Sequence, residues 1–192
     1  MLDFLTIATR SPKKDVVEVY PKFRVNKSSD LMIRGGDFYA IWNENTNLWS
    51  TDEQDVINMV DAELDIYAKE NASKYDGNLR VQHMWDSDSG VIDKWHKYCQ
   101  KQMRDSYHML DEKLIFSNTE TKKKDYASKR LDYPLTECET PAYDELMSTL
   151  YSEEERKKIE WAIGSVICGD SKKLQKFIVL YGSAGTGKST VL

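Results

Sequence analysis

Eight consecutive residues, Gly182-Ser183-Ala184-Gly185-Thr186-Gly187-Lys188-Ser189, have the types and spacing G-x-x-x-x-G-K-S. Chemistry at this spacing is phosphate binding. Glycines at 182, 185 and 187 allow positive φ and turn backbone N–H groups inward as an anion nest. Lys188 would reach the β- and γ-phosphates and the Ser189 hydroxyl would hold Mg²⁺. The helix opening here, through Thr190, would point its positive end at the same phosphates. The preceding run Phe177-Ile178-Val179-Leu180-Tyr181 reads as a buried parallel strand, the context such a loop requires. A chance glycine-rich turn explains the glycines but not the coincidence of strand, lysine and hydroxyl. The expected ligands are ATP and Mg²⁺.

Binding alone is not hydrolysis. A P-loop enzyme also needs an acidic motif at the end of a second strand and usually an arginine that meets transition-state charge. Neither follows in Thr190-Val191-Leu192, and a lone strand cannot bury two faces. The expectation is the front part of a longer ATPase in which Lys188 is the catalytic anchor, the 192 residues alone being inactive in hydrolysis.

The elements that must position this loop read as follows. Residues 1–50 are a small β-containing region. Val16-Val17-Glu18-Val19-Tyr20 looks like a strand stopped by Pro21, and Phe38-Tyr39-Ala40-Ile41-Trp42 with Leu48-Trp49-Ser50 looks like a hairpin around an asparagine-rich loop. Packing of Trp42 and Trp49 across that hairpin is the plainer account of their spacing, base stacking the alternative. Residues 51–150 read as a helical accessory domain. One helix begins at Thr51, with Val56, Met59, Val60, Leu64 and Tyr67 on one face. A second is predicted as one long amphipathic helix carrying Ile92, Trp95, Cys99, Met103, Tyr107, Leu110 and Leu114. Leu79-Arg80-Val81-Gln82 between them is compatible with helix or strand. Thr140 as cap and Pro141 as first residue start a further helix. Residues 151–192 open with a capping box from Ser152 to Glu155. An apolar stripe of Ile159, Ala162, Ile163, Val166 and Ile167 follows, predicted to pack on something apolar, and Gly169-Asp170 stops the helix. Residues 171–176 read as a polar connector. The fold class is α+β: a β-containing N-terminal part, a mainly helical middle, and the first strand and P-loop of an α/β ATPase domain.

Two basic clusters stand out. Lys94, His96, Lys97, Lys101 and Arg104 lie on the charged face of the second helix. Lys122, Lys123, Lys124, Lys129 and Arg130 follow, with Tyr126 among them. Cations interleaved with an aromatic are what contact with single-stranded DNA would use, although a charged helix face is more often simply solvated. Asp86-Ser87-Asp88 has the D-x-D form of a two-metal site but sits beside Ser89-Gly90, where capping is the better account. His83, His96 and His108 lack metal-ligand spacing.

A net charge of −5 excludes a wholly basic nucleic-acid coat. Apolar content of 40% with 11% aromatics is enough for a core. Cys99, Cys138 and Cys168 form no C-x-x-C pair, which fits a reducing cytoplasm. No apolar run approaches the ~18 residues of a membrane span, so no membrane association is expected.

The final residues carry a wider pattern: Leu150-Tyr151-Ser152, Glu154-Glu155-Arg156-Lys157-Lys158-Ile159-Glu160-Trp161-Ala162-Ile163-Gly164, Gly169-Asp170, and Gln175-Lys176-Phe177 leading into 182–190. This resembles the primase-helicase proteins of bacteriophages and poxviruses, whose ATPase belongs to the superfamily III helicases. Tyr126, Leu131-Asp132-Tyr133-Pro134 and Asp30-Leu31-Met32-Ile33-Arg34 with 38–42 are similar to the accessory region that precedes the motor. The resemblance implies an AAA+-like motor, usually a hexameric ring, that translocates on single-stranded DNA and unwinds duplex. The preceding helical domain would act as a collar, and the protein would work in the cytoplasm of the host cell. Of the family's functional positions only the loop carries over: 182–187 as cradle, Lys188 on phosphate, Ser189 on Mg²⁺. Thr186 stands where many relatives have asparagine. The non-enzymatic alternative is a DNA-binding or oligomerisation collar with a remnant P-loop.

Overall fold

The computed structural model describes residues 2–24, 28–34, 38–75, 78–101, 108–177 and 179–185. Their fold is α+β, in two compact units, Met1–Leu110 with Thr121–Ser128, and Asp111–Glu120 with Lys129–Leu192. The β-rich start and the first two helices thus belong to one unit.

In the first unit β1 (Leu5–Lys13) and β2 (Val16–Phe23) form an antiparallel hairpin whose turn places Asp15 at φ 66°. β2 does not stop at Pro21 as its sequence suggests. Beyond Val19 it has only β1 beside it, which is where a strand tolerates a missing N–H. β6 (Leu79–Val81) pairs parallel with Val17–Val19, resolving its ambiguous run as strand. Between β2 and β6 lies α1 (Glu53–Asn71), part of the long connection that a parallel pair needs.

A second antiparallel sheet contains β3 (Leu31–Arg34), β4 (Phe38–Asn43) and β5 (Leu48–Ser50). The expected hairpin is present, with Trp42 opposite Trp49. Period-two alternation divides these strands between two cores. Leu31 and its partner Ile41 join the main cluster, while Met32, Ala40, Trp42 and Trp49 form a second one. Packing is therefore what the tryptophans do, their rings meeting edge to face at 5.7 Å.

α1 is capped by Asp52, which accepts from the Gln54 amide at 2.9 Å, so the helix begins two residues after Thr51. Val56, Val60 and Leu64 on its inner face are buried with Phe4, Val19 and Trp95. Asp61, on the same helix, is 7% exposed and accepts the Met84 and Trp85 amides at 2.6 and 3.1 Å. That carboxylate fixes the chain between β6 and α2 (Val91–Lys101). α2 buries Val91, Trp95, Tyr98 and Cys99, but the single long helix predicted through Leu114 is not formed. Residues 108–114 are non-helical, and Asp111 adopts φ 57°, incompatible with helix continuation. Met103 and Tyr107 lie outside the described residues.

The second unit holds α3 (Pro141–Leu150), α4 (Glu153–Ile167) and a single turn α5 (Ser171–Leu174), where a plain polar connector is expected from sequence. Residues 111–120 and 129–135 run together through Leu131 N–H to the Ile115 carbonyl at 2.7 Å and a two-way bond between Asn118 and Leu135. Among the described residues no helix is long and apolar enough to cross a membrane.

Candidate nucleotide-binding loop and basic segment

α4 leads towards the loop. Its start is the expected capping box: the Ser152 amide donates to Glu155 Oε2 at 2.9 Å and the Glu155 amide to Ser152 Oγ at 3.4 Å. Its end is a Schellman motif. Gly169, at φ +76°, donates to Val166 O at 3.2 Å, and Asp170 donates to Ser165 O at 2.9 Å. A Cβ at Gly169 would stand 2.7 Å from the Glu112 carbonyl oxygen, so close backbone approach as well as handedness requires glycine. α3 begins at Pro141 as expected, but Thr140 makes no capping bond and its hydroxyl instead meets Asp144 at 3.3 Å.

The apolar stripe of α4, predicted to pack on something apolar, is covered only in part: Ile159, Ala162 and Ile167 are half-buried and Ile163 and Val166 exposed. No described residue of this helix is buried; Val166 is 55% exposed and Trp161 49%. The contact with α3 runs through Arg156, which bonds to Asp144 and to Glu160 and lies over the Tyr143 ring at 5.3 Å. Beside this polar contact, Met147 of α3 is fully buried, while the stripe of α4 is at most half-buried.

Phe177, Val179, Leu180 and Tyr181 belong to no strand, and Phe177 and Tyr181 are 88% and 97% exposed. The buried parallel strand expected here is not observed. A strand needs edge partners, and every described strand is in the first unit. In the loop itself, Gly182, Ser183, Ala184 and Gly185 are exposed, and Gly185 takes φ +80° with no heavy atom of the described residues within 4 Å of a built Cβ. The left-handed conformation of Gly185 is one that a backbone phosphate cradle would use. Thr186, Gly187, Lys188, Ser189 and Thr190 lie outside the described residues.

The basic segment divides between the two units: Lys122, Lys123 and Lys124 in the first, Lys129 and Arg130 in the second. Lys123 to Asp125 form one 3-10 turn, closed by the Lys122 amide donating to Asp125 at 2.8 Å. Lys123 is turned inward and paired with Asp30, while its carbonyl accepts the Trp49 indole N–H at 2.9 Å. Lys122 and Lys124 are exposed. Tyr126 ends the turn in the left-handed region, φ 47° and ψ 43°. Its ring is near parallel to Trp49, at 6.3 Å and 22°, and stacks closely on His108, at 4.1 Å and 17°. Sequence placed Tyr126 among the lysines, but nothing in the spacing could reveal Trp49 and His108 beside it. Lys129 is exposed, its amide donating to Asp111 at 3.2 Å.

On α2, Lys94, Lys97 and Lys101 are exposed and His96 bonds to Glu53 at 2.7 Å; Arg104 lies outside the described residues. His83 bonds to Asp65 at 2.8 Å. Of the two residues expected to cap, Asp88 or Ser89, Ser89 Oγ accepts from the Val91 amide at 3.2 Å as α2 starts, while Asp86 caps a 3-10 turn, accepting from the Asp88 amide at 3.0 Å. Among the described residues no three His, Cys, Asp or Glu side chains are grouped to hold a metal. No protein-family model, curated protein or solved structure matches the chain.

Proposed function

We propose that residues 182–189 bind ATP with Mg²⁺ and that the protein is the N-terminal region of a phage-type replicative DNA helicase of the superfamily III kind. The observation that carries this reading is the complete G-x-x-x-x-G-K-S run with Gly185 already at φ +80°. In the proposal the 182–187 backbone cradles the phosphates, Lys188 neutralises the β- and γ-phosphates, and Ser189 ligates Mg²⁺. The glutamate-tryptophan helix α4, opened by its capping box and ended at Gly169, supports the family assignment because it stands where the resemblance needs it. The motor would act as a ring, hexameric by resemblance, on single-stranded DNA in the host cytoplasm.

The test is strand separation on a forked duplex by the product of the whole reading frame that encodes these residues. ATP-dependent unwinding that Lys188→Ala abolishes, with assembly intact, is the expected result. No unwinding, or unwinding indifferent to Lys188→Ala, contradicts the proposal. A second reading, a non-enzymatic DNA-binding or oligomerisation collar, is favoured by the exposed pair Lys122 and Lys124 on an ordered turn. It expects DNA binding that persists unchanged in Lys188→Ala and never depends on ATP.

A further inference from the structure

The aromatic column beside the basic turn is more than hairpin packing. Trp42 and Trp49 are 5% and 2% exposed; Tyr126 lies beside Trp49, near parallel but offset at 6.3 Å, and the exposed His108 stacks on Tyr126 at 4.1 Å. One end of this aromatic series is thus set in a core and the other is the exposed His108, its ring within 17° of parallel to Tyr126.

Two features show that the column is held in place. Tyr126 adopts a left-handed backbone, which is strained for a bulky residue. The surrounding bonds over-determine that geometry. The Trp49 indole and the Tyr126 amide both donate to the Lys123 carbonyl, at 2.9 and 3.3 Å. The Trp49 amide donates to Ala127 O at 2.8 Å, and Thr121 Oγ1 donates to the Asn47 carbonyl. Lys123 is occupied by Asp30, so the cations offered to solvent from this turn are its neighbours Lys122 and Lys124.

We infer that His108 is a stacking platform for one base of a single-stranded nucleic acid, with Lys122 and Lys124 meeting the adjoining phosphates. A parallel, solvent-facing ring backed by rigid aromatics suits the π-face of a base, and two exposed ammonium groups suit the backbone. A duplex is excluded as the ligand of this platform because its bases present no free face. The inference rests on the proposal that the protein engages single-stranded DNA, and it names the residues of that contact. Lys123 is an anchor of the turn, not a contact.

The experiment compares a labelled oligothymidine with an abasic phosphodiester strand of equal length, by fluorescence anisotropy across a salt series. The wild-type protein is expected to bind the oligothymidine about tenfold more tightly, the scale of one base stack. His108→Ala should erase that preference and His108→Tyr retain it, with unchanged circular dichroism in both. Lys122→Gln with Lys124→Gln should lower the salt slope by about two and keep the preference. Equal binding of both strands by wild-type protein, or a preference that survives His108→Ala, overturns the platform while leaving DNA binding in place. Failure to bind either strand overturns both.

Discussion

Lys122, Lys123 and Lys124 are identical in chemistry and unlike in role. The middle one is folded back on Asp30 and the outer two face solvent, a distinction set by the 3-10 turn and by contacts from residues more than seventy positions away. Sequence marks the cluster but cannot sort its members, because the partner carboxylate comes from β3's approach and the partner indole from β5. The cysteines were sortable only in part for the same reason. Cys99 falls on the inner stripe of α2 and is 2% exposed; Cys138 and Cys168 are exposed. Burial pushes the Cys99 thiol up to about 12, with Glu53 adding to the shift. Any stability tied to the protonated thiol is full below an unfolded thiol's ~8.5 and is lost as pH rises from there through about 12. In native protein at pH 8, a thiol reagent should label Cys138 and Cys168 promptly and Cys99 only after denaturant is added. Three prompt equivalents would contradict the burial of Cys99.

Among the elements, the helices with both a polar boundary signal and a regular apolar stripe were legible, α1 and α4 above all. The Ser152 to Glu155 box and the Gly169 stop are local chemistry, decided within a few residues. β1 is hard to read from sequence because its alternation stops after Leu5 and Ile7 and Pro12 interrupts the polar residues that follow; its place is set by β2 beside it. α2 was over-extended because Met103, Leu110 and Leu114 keep helical spacing, yet Asp111 turns left-handed and the Leu114 amide bonds to the Ile167 carbonyl. The two glycines of α4 separate propensity from geometry. Gly164 lies in the helix interior with nothing within 4 Å of a built Cβ, so Gly164→Ala should stabilise by about 0.5–1 kcal/mol. Gly169→Ala should destabilise by about 1–2 kcal/mol from handedness, with the Glu112 contact added. Thermal unfolding followed by circular dichroism reads both signs. Equal and small shifts would show that the Schellman end carries no constraint.

For the whole molecule, the α+β class and the N-terminal β content were readable in composition and periodicity. The division into units was not, since Thr121–Ser128 joins the first unit through Asn47, Trp49 and Asp30, all distant in sequence. The proposed binding of ATP by residues 182–189 is the most specific chemical reading of the chain. Its most direct test is titration of the purified protein with a fluorescent ATP analogue, with and without Mg²⁺, for wild type and Lys188→Ala. The account expects saturable, Mg²⁺-dependent binding that unlabelled ATP displaces and that Lys188→Ala weakens at least about tenfold, the scale of one charge-assisted bond. Absence of saturable binding, or equal binding by both proteins, would contradict it.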